Sequence, residues 1–153
     1  VPVPKIKEGA AHLLNRLLPS MTLGNEITND MVTRDIDVIK EFESDIYRHG
    51  RISSGVYLSF APLTEEVAMK ASLIHVPTLF QVPEADPVVS TPTAREVFKK
   101  LGTKEKTLLV YGEGARHELY NDLNRETVFA DLRRYIETQL GNSPGKSSKG
   151  DKL

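Results

Sequence analysis

Two short apolar runs, separated by one helix length and each ending in a turn, constrain this chain more than any other feature. The first spans residues 76–82, VPTLFQV, and the second spans residues 107–111, TLLVY. Both are rich in β-branched, aromatic and aliphatic residues and are bounded by turn formers, the pattern of a buried strand. Between them Thr91 is placed to cap a helix and Pro92 to take its first position. Ala94, Val97, Phe98 and Leu101 then recur at i, i+3, i+4 and i+7, and Gly102 ends the run. Strand, helix and strand make a βαβ unit, so the two strands are expected to be parallel and adjacent, joined by a right-handed crossover. The near-continuous apolar character of residues 107–111 predicts burial on both faces, as in parallel sheets. The fold class is α/β.

The loops at the ends of the two strands carry the chemistry. In open α/β sheets, ligands and reacting groups collect outside the carboxyl ends of the strands. The first run leads into Pro83-Glu-Ala-Asp86-Pro87, and the second into Gly112-Glu-Gly-Ala-Arg-His117. On adjacent parallel strands Asp86 and His117 emerge at one edge of the sheet. A nucleophile-activating system needs such a pair: a His to take the nucleophile's proton, and an acid to hold the other imidazole nitrogen and stabilise the imidazolium. Each residue also has a plainer reading. Asp86 fits a turn before Pro87, and His117 fits a loop histidine bonded to backbone. Their joint position at the ends of consecutive strands favours the catalytic pair. Glu118 and Asp122 read as polar loop or helix-capping residues.

The remainder reads as mostly helical. Residues 1–4, VPVP, form an extended lead-in. Residues 5–18 predict a helix with Ile6, Leu13, Leu14, Leu17 and Leu18 on one face, ended by Pro19. His12 within it reads as solvated or at the edge of the core. Residues 20–34 read as a loop. Asp35 is placed to cap a short helix bearing Ile36, Ile39 and Phe42, and residues 45–50 read as a turn. Ser53 or Ser54 starts a helix through Val56, Tyr57 and Phe60. Pro62 kinks or breaks that helix, and Thr64 restarts it toward Ile74. A last helix over residues 124–140 places Val128, Phe129, Leu132, Tyr135, Ile136 and Leu140 on one face. Residues 141–153, GNSPGKSSKGDKL, predict a disordered tail.

Composition closes off several function classes. A net charge of -1 over 153 residues gives no electrostatic case for a nucleic-acid partner. No apolar run approaches the ~18 residues that suggest a membrane span, and no signal peptide is visible. The absence of Cys excludes disulfides and thiolate chemistry without fixing a compartment. No residue pattern suggests a metal or cofactor, so none is expected.

VPTLFQVPEADPVVS, then KTLLVYGEGARHELYND and a last helix, resembles the C-terminal part of α/β-hydrolases of the monoacylglycerol lipase and lysophospholipase type. The resemblance covers roughly residues 19–140 and is most specific at ADPVV and RHELYND. It implies that Asp86 and His117 are the acid and base of a Ser-Asp-His triad, in that chain order. It also makes residues 33–50, from Thr33-Arg-Asp35 to Asp45-Ile-Tyr-Arg-His49-Gly50, similar to the family's cap, a helical insertion over the active site; three amphipathic core helices would account for the same pattern. Two positions depart from the family. Val82-Pro83 stand where His-Gly usually precedes the acid, and Ile46 replaces the usual proline after Asp45. The implied architecture is a partial α/β-hydrolase fold: a helical cap (residues 1–75), a βαβα C-terminal portion of a parallel sheet (76–140) and a tail (141–153).

The nucleophile is the gap. The one G-x-S-x-G match, Gly141-Asn-Ser143-Pro-Gly145, lies after a helix, comes later than the acid and the His, and carries Pro144 where a backbone N–H must meet the oxyanion. It is rejected as an elbow. With Val rather than Met at position 1, the expectation is that the first six strands, the Ser elbow and the oxyanion hole lie in a missing N-terminal half. One side of the first strand would then be an open edge. Three readings are open: the C-terminal half of a serine hydrolase acting on carboxylic esters, with lipid esters such as monoacylglycerol or lysophospholipid implied; a non-catalytic binding protein on a truncated hydrolase scaffold; or an unrelated small βα domain. The partners expected of the first are an ester or lipid substrate, the N-terminal half, and a lipid surface touched through the cap. The expected location is the cytoplasm or the periphery of a membrane.

Overall fold

The computed structural model of the chain describes residues 9, 12, 13 and 15–141, with the backbone alone at Ala61. In chain order its elements are β1 (Thr22–Gly24), α1 (Asn29–Val32), α2 (Ile36–Ser44), β2 (Arg51–Ser53), α3 (Ser54–Lys70), β3 (Thr78–Pro83), α4 (Thr91–Lys100), β4 (Lys106–Tyr111) and α5 (Arg125–Gly141). Single 3₁₀ turns lie at Ala71–Leu73 and Leu119–Asn121. No helix among the described residues is long and apolar enough to cross a membrane.

The strands β3 and β4 pair in parallel, from Thr78 opposite Lys106 to Pro83 opposite Tyr111. Successive strand residues point to opposite faces, and their contacts show a helix on each. Phe80 meets Phe98 of α4 with ring centroids 5.5 Å apart. Gln81, its neighbour, donates instead to the Val128 carbonyl of α5 at 3.0 Å and to the Tyr111 hydroxyl at 2.6 Å. The buried core lies under α5 and consists of Tyr111, Ala115, Leu119 and Val128, with Leu109 packed against it. Most residues of both strands are only half-buried, so the expected burial on both faces is incomplete among the described residues.

Helix α4 forms where its apolar spacing places it, but its cap differs by one residue. Ser90 Oγ accepts from Thr93 N at 3.2 Å, so Ser90, not Thr91, is the N-cap. Thr91 is instead buried, and its hydroxyl donates to the Pro83 carbonyl at 2.8 Å, tying the start of α4 to the end of β3. At the other end Lys106 Nζ donates to the carbonyls of Phe98, Lys99 and Leu101, a cation on the free carbonyls of a helix C-terminus.

The first half of the chain departs further from expectation. Residues 20–34 are not a plain loop. Thr22–Gly24 pairs antiparallel with Arg51–Ser53, and α1 comes next. Three-residue strands with no alternating pattern leave no periodic signal, and their pairing is non-local. Asp35 does cap α2, accepting from the amides of Asp37 and Val38, and Ser53 caps α3, accepting from Val56 N. Helix α3 runs unbroken through Pro62, with no second start at Thr64. Proline removes a single i→i−4 bond, and the ladder on both sides carries the helix past it. Of the helix expected over residues 5–18, residues 9, 12, 13 and 15–17 are helical, with His12, Leu13 and Leu17 exposed. The lead-in, Leu14 and the tail with Ser143 lie outside the described residues.

Candidate active site

The parallel pairing brings the ends of β3 and β4 side by side, and Glu84 N donates to the Tyr111 carbonyl at 2.8 Å as the two segments leave the sheet. The acid comes three residues beyond β3. Its side chain is 2% exposed. Asp86 Oδ1 accepts from the amides of Val88 at 2.8 Å and Val89 at 3.1 Å, closing a turn over Pro87. Oδ2 faces His117 Nδ1 at 2.8 Å. A carboxylate can only accept, so opposite an ionised Asp86 it is Nδ1 that donates, and in the neutral ring Nε2 then carries the lone pair. The imidazole is about one-third exposed, at 36%.

Getting His117 to that place takes an unusual loop. Ala115 N donates to the Gly112 carbonyl at 3.1 Å, and the two residues between, Glu113 and Gly114, have φ of 56° and 75°. That is the φ signature of a type I′ turn. Gly114 adopts it freely, whereas Glu113 is strained there. Arg34 Nη1 donates to the Glu113 carbonyl at 2.6 Å.

The loop is then held by residues from the first half of the chain. Glu118 N donates to the Val32 carbonyl at 2.9 Å, and Thr33 Oγ1 donates to the Asn121 carbonyl at 2.7 Å. Asp122, fully buried, accepts from Arg34 N, Nε and Nη2 and from Arg116 N. Burial opposes its charge, but the hydrogen bonds from Arg34 and from the Arg34, Arg116 and Leu123 amides outweigh that and bring its carboxyl down to about 2. Asp122 lies in the loop that follows Leu119–Asn121, as its sequence context suggests, but there it is a fully buried ionic brace, which that context does not show. The signal that could have found it is the spacing of Asp122 five residues after His117 together with a distant Arg-Asp pair, and only a contact across 88 residues joins them. Arg125 adds a second bridge to Asp35. Glu118 is peripheral: it accepts from Asn121 Nδ2 at 2.6 Å and from Arg48 at 3.4 Å.

The structure therefore brings Asp86 and His117 together as the sequence places them. Known proteins share the fold that does so. The family model described as serine aminopeptidase, S33, matches residues 1–124. Phospholipase YtpA of Bacillus subtilis is 25% identical over 141 residues, which are 92% of this chain and 54% of the phospholipase. An uncharacterized abhydrolase domain-containing protein of Dictyostelium discoideum is 24% identical over 148 residues, 96% of this chain and 16% of that protein. Among solved structures, the monoacylglycerol lipase of Paleococcus ferrophilus superposes with a TM-score of 0.77 at 26% identity, covering 88% of this chain and 53% of the lipase. A soluble variant of the Saccharomyces cerevisiae monoglyceride lipase, solved with a substrate analog, gives 0.70 at 16% identity, covering 88% and 49%. The chain spans about half the length of that phospholipase and of both lipases, and its fold is part of the α/β-hydrolase fold. With its family model matched over most of its length, the chain belongs to the serine aminopeptidase S33 family.

Proposed function

We propose that this chain is the C-terminal half of a serine hydrolase that cleaves carboxylic esters, with Asp86 and His117 as the acid and base of its Ser-Asp-His triad. The observation that carries the reading is the 2.8 Å bond from His117 Nδ1 to Asp86 Oδ2. That bond keeps the imidazole in the tautomer whose Nε2 can accept a hydroxyl proton. The serine oxygen attacks the ester carbonyl as Nε2 takes its proton. The imidazolium, stabilised by Asp86, then protonates the leaving alkoxide. A water repeats the sequence on the acyl-enzyme. Serine and oxyanion donors belong to a preceding segment, because no serine of this chain has the glycine spacing of an elbow in the right chain order.

Lipid esters, monoacylglycerol or lysophospholipid, are the substrate class this reading favours. Its support is the similarity to a phospholipase and to monoacylglycerol lipases. Residues 1–75 would be the cap, 76–140 the last part of the core and 141–153 a tail.

The test joins the chain to its nucleophile-bearing segment and measures turnover of a short-chain ester together with labelling by a fluorophosphonate probe. His117→Ala is expected to abolish nearly all turnover, and Asp86→Asn to lower it by roughly 10⁴, the scale of the wrong-tautomer effect in serine proteases. The isolated chain is expected to show neither turnover nor labelling. Near-normal turnover in either variant, or labelling of the isolated chain that Ser143→Ala removes, would refute the assignment.

A further inference from the structure

Three successive amides around the candidate base each find an acceptor outside the sheet. Arg116 N donates to Asp122 Oδ2 at 2.9 Å, His117 N to the Met31 carbonyl at 3.4 Å and Glu118 N to the Val32 carbonyl at 2.9 Å. None of these three acceptors belongs to β3 or β4. The ring bond to Asp86 fixes how the imidazole is turned, whereas these amides fix where its backbone stands. Asp122 is in turn fixed by Arg34, through Arg34 N to Oδ1 at 2.8 Å and Nη2 to Oδ2 at 2.8 Å. The same guanidinium reaches the Glu113 carbonyl on the other side of His117.

We propose that Asp122 and Arg34 are positioning residues for His117: they hold the loop so that Nε2 sits within reach of the nucleophile, and they make this depend on the docking of residues 31–34. The inference rests on the proposed triad role of His117. A general base must lie within hydrogen-bond distance of its proton, and a misplacement of about 1 Å can cost on the order of 10² in rate. A fully buried carboxylate has about four lone-pair positions to fill. This one spends one of them on the amide that precedes the base, which a brace of purely structural purpose does not require. The planar guanidinium is likewise suited to the job, since its rigid fork aims Nε and Nη2 at the carboxylate while Nη1 meets the Glu113 carbonyl.

The test uses the hydrolase that carries this chain with its nucleophile, p-nitrophenyl butyrate as the ester, and NMR observation of the His117 Nδ1 proton. Asp122→Asn keeps the shape but replaces one acceptor oxygen with a donor, so either the Arg34 or the Arg116 amide loses its partner. The expected result is a kcat lower by roughly 10- to 100-fold with KM within about twofold, and a broadened Nδ1 proton signal. Arg34→Lys is expected to lower kcat by a smaller factor in the same direction. Val128→Ala, in the core under α5, serves as a destabilised control and should keep kcat and the Nδ1 signal in its folded fraction. If Asp122→Asn does not accumulate as folded protein, Arg34→Gln decides, because Arg34 is partly exposed. Wild-type kcat with an unshifted Nδ1 signal in the folded variants would overturn the proposal. So would an equal loss of kcat in Val128→Ala. His117→Ala run in parallel separates the two ideas: if it retains turnover the triad reading fails, while the His117 Nδ1 signal of the Asp122 and Arg34 variants still reports whether that pair holds the ring.

Discussion

Asp86 uses its two oxygens for different tasks. Oδ1 closes the turn over Pro87 and Oδ2 meets His117, so the turn reading and the pairing with the histidine are both met, one by each oxygen. Asp122 shows the opposite case, a residue whose neighbours in sequence say nothing of its role. Its acceptance of hydrogen bonds from Arg34, Arg116 and Leu123 makes a stability prediction with a definite sign. The folded-state value of about 2 lies below the ordinary 3.8, so the charged form favours the folded state. That contribution, roughly 2 kcal/mol, is complete well above pH ~4 and is lost as pH falls through about 2. Asp35, beside Arg125, shifts in the same direction. Denaturant midpoints measured from about pH 6 down to about pH 2 should fall most steeply below pH ~4. In Asp122→Asn the midpoint should be lower at the neutral end and the acid limb shallower.

At the scale of elements, legibility followed periodicity. Helix α4 and both parallel strands could be read because their apolar spacing is regular and their ends carry turn chemistry. The pairing of Thr22–Gly24 with Arg51–Ser53 could not, because three residues hold no period and the partner lies 29 residues away in the Arg51–Thr22 contact. Ser90 and Thr91 are both good capping residues, and only the position of the Pro83 carbonyl decides which one caps. Gly102 was legible as a helix terminator, but the reason for glycine there is a close approach. A Cβ at that position would stand 2.1 Å from the Ser72 carbonyl oxygen and 2.7 Å from His75 Cε1. Gly102→Ala must therefore push the end of α4 away from the 3₁₀ turn at Ala71–Leu73. A loss of several kcal/mol, seen as a large drop in thermal midpoint, is expected, at the exceptional end for a single substitution. A variant that melts with the wild type would show that the two segments can separate freely.

At the scale of the whole molecule, the described surface is rich in exposed apolar side chains. Leu13, Leu17 and Leu18 are each more than half exposed, as are Phe60, Leu63 and Val67 along α3. If residues 1–75 form the proposed cap, some of these side chains should meet lipid. In the complete enzyme, Leu13→Ser with Leu17→Ser should weaken hydrolysis of micellar esters more than of short soluble ones. Equal losses on both would mark these leucines as core. The sequence could show that this chain resembles part of an α/β-hydrolase. It could not show how the first part of the chain grips the last, because that grip consists of polar side chains with no repeat.

That grip also sets an order of events. The carboxylate of Asp122 and the guanidinium of Arg34 meet across 88 residues of chain, and the Asp35–Arg125 contact spans 90. Contacts so distant along the chain are closed late, since the entropy of the intervening loop is lost before they return anything. The pairing of β3 with β4 is more local and can be complete while the histidine still lacks its backbone support. During refolding, or as the chain leaves the ribosome, the sheet would exist before His117 has a fixed address. A fixed place for the His117 backbone would then be the last feature acquired, arriving with the docking of residues 31–35 and not with the formation of the sheet.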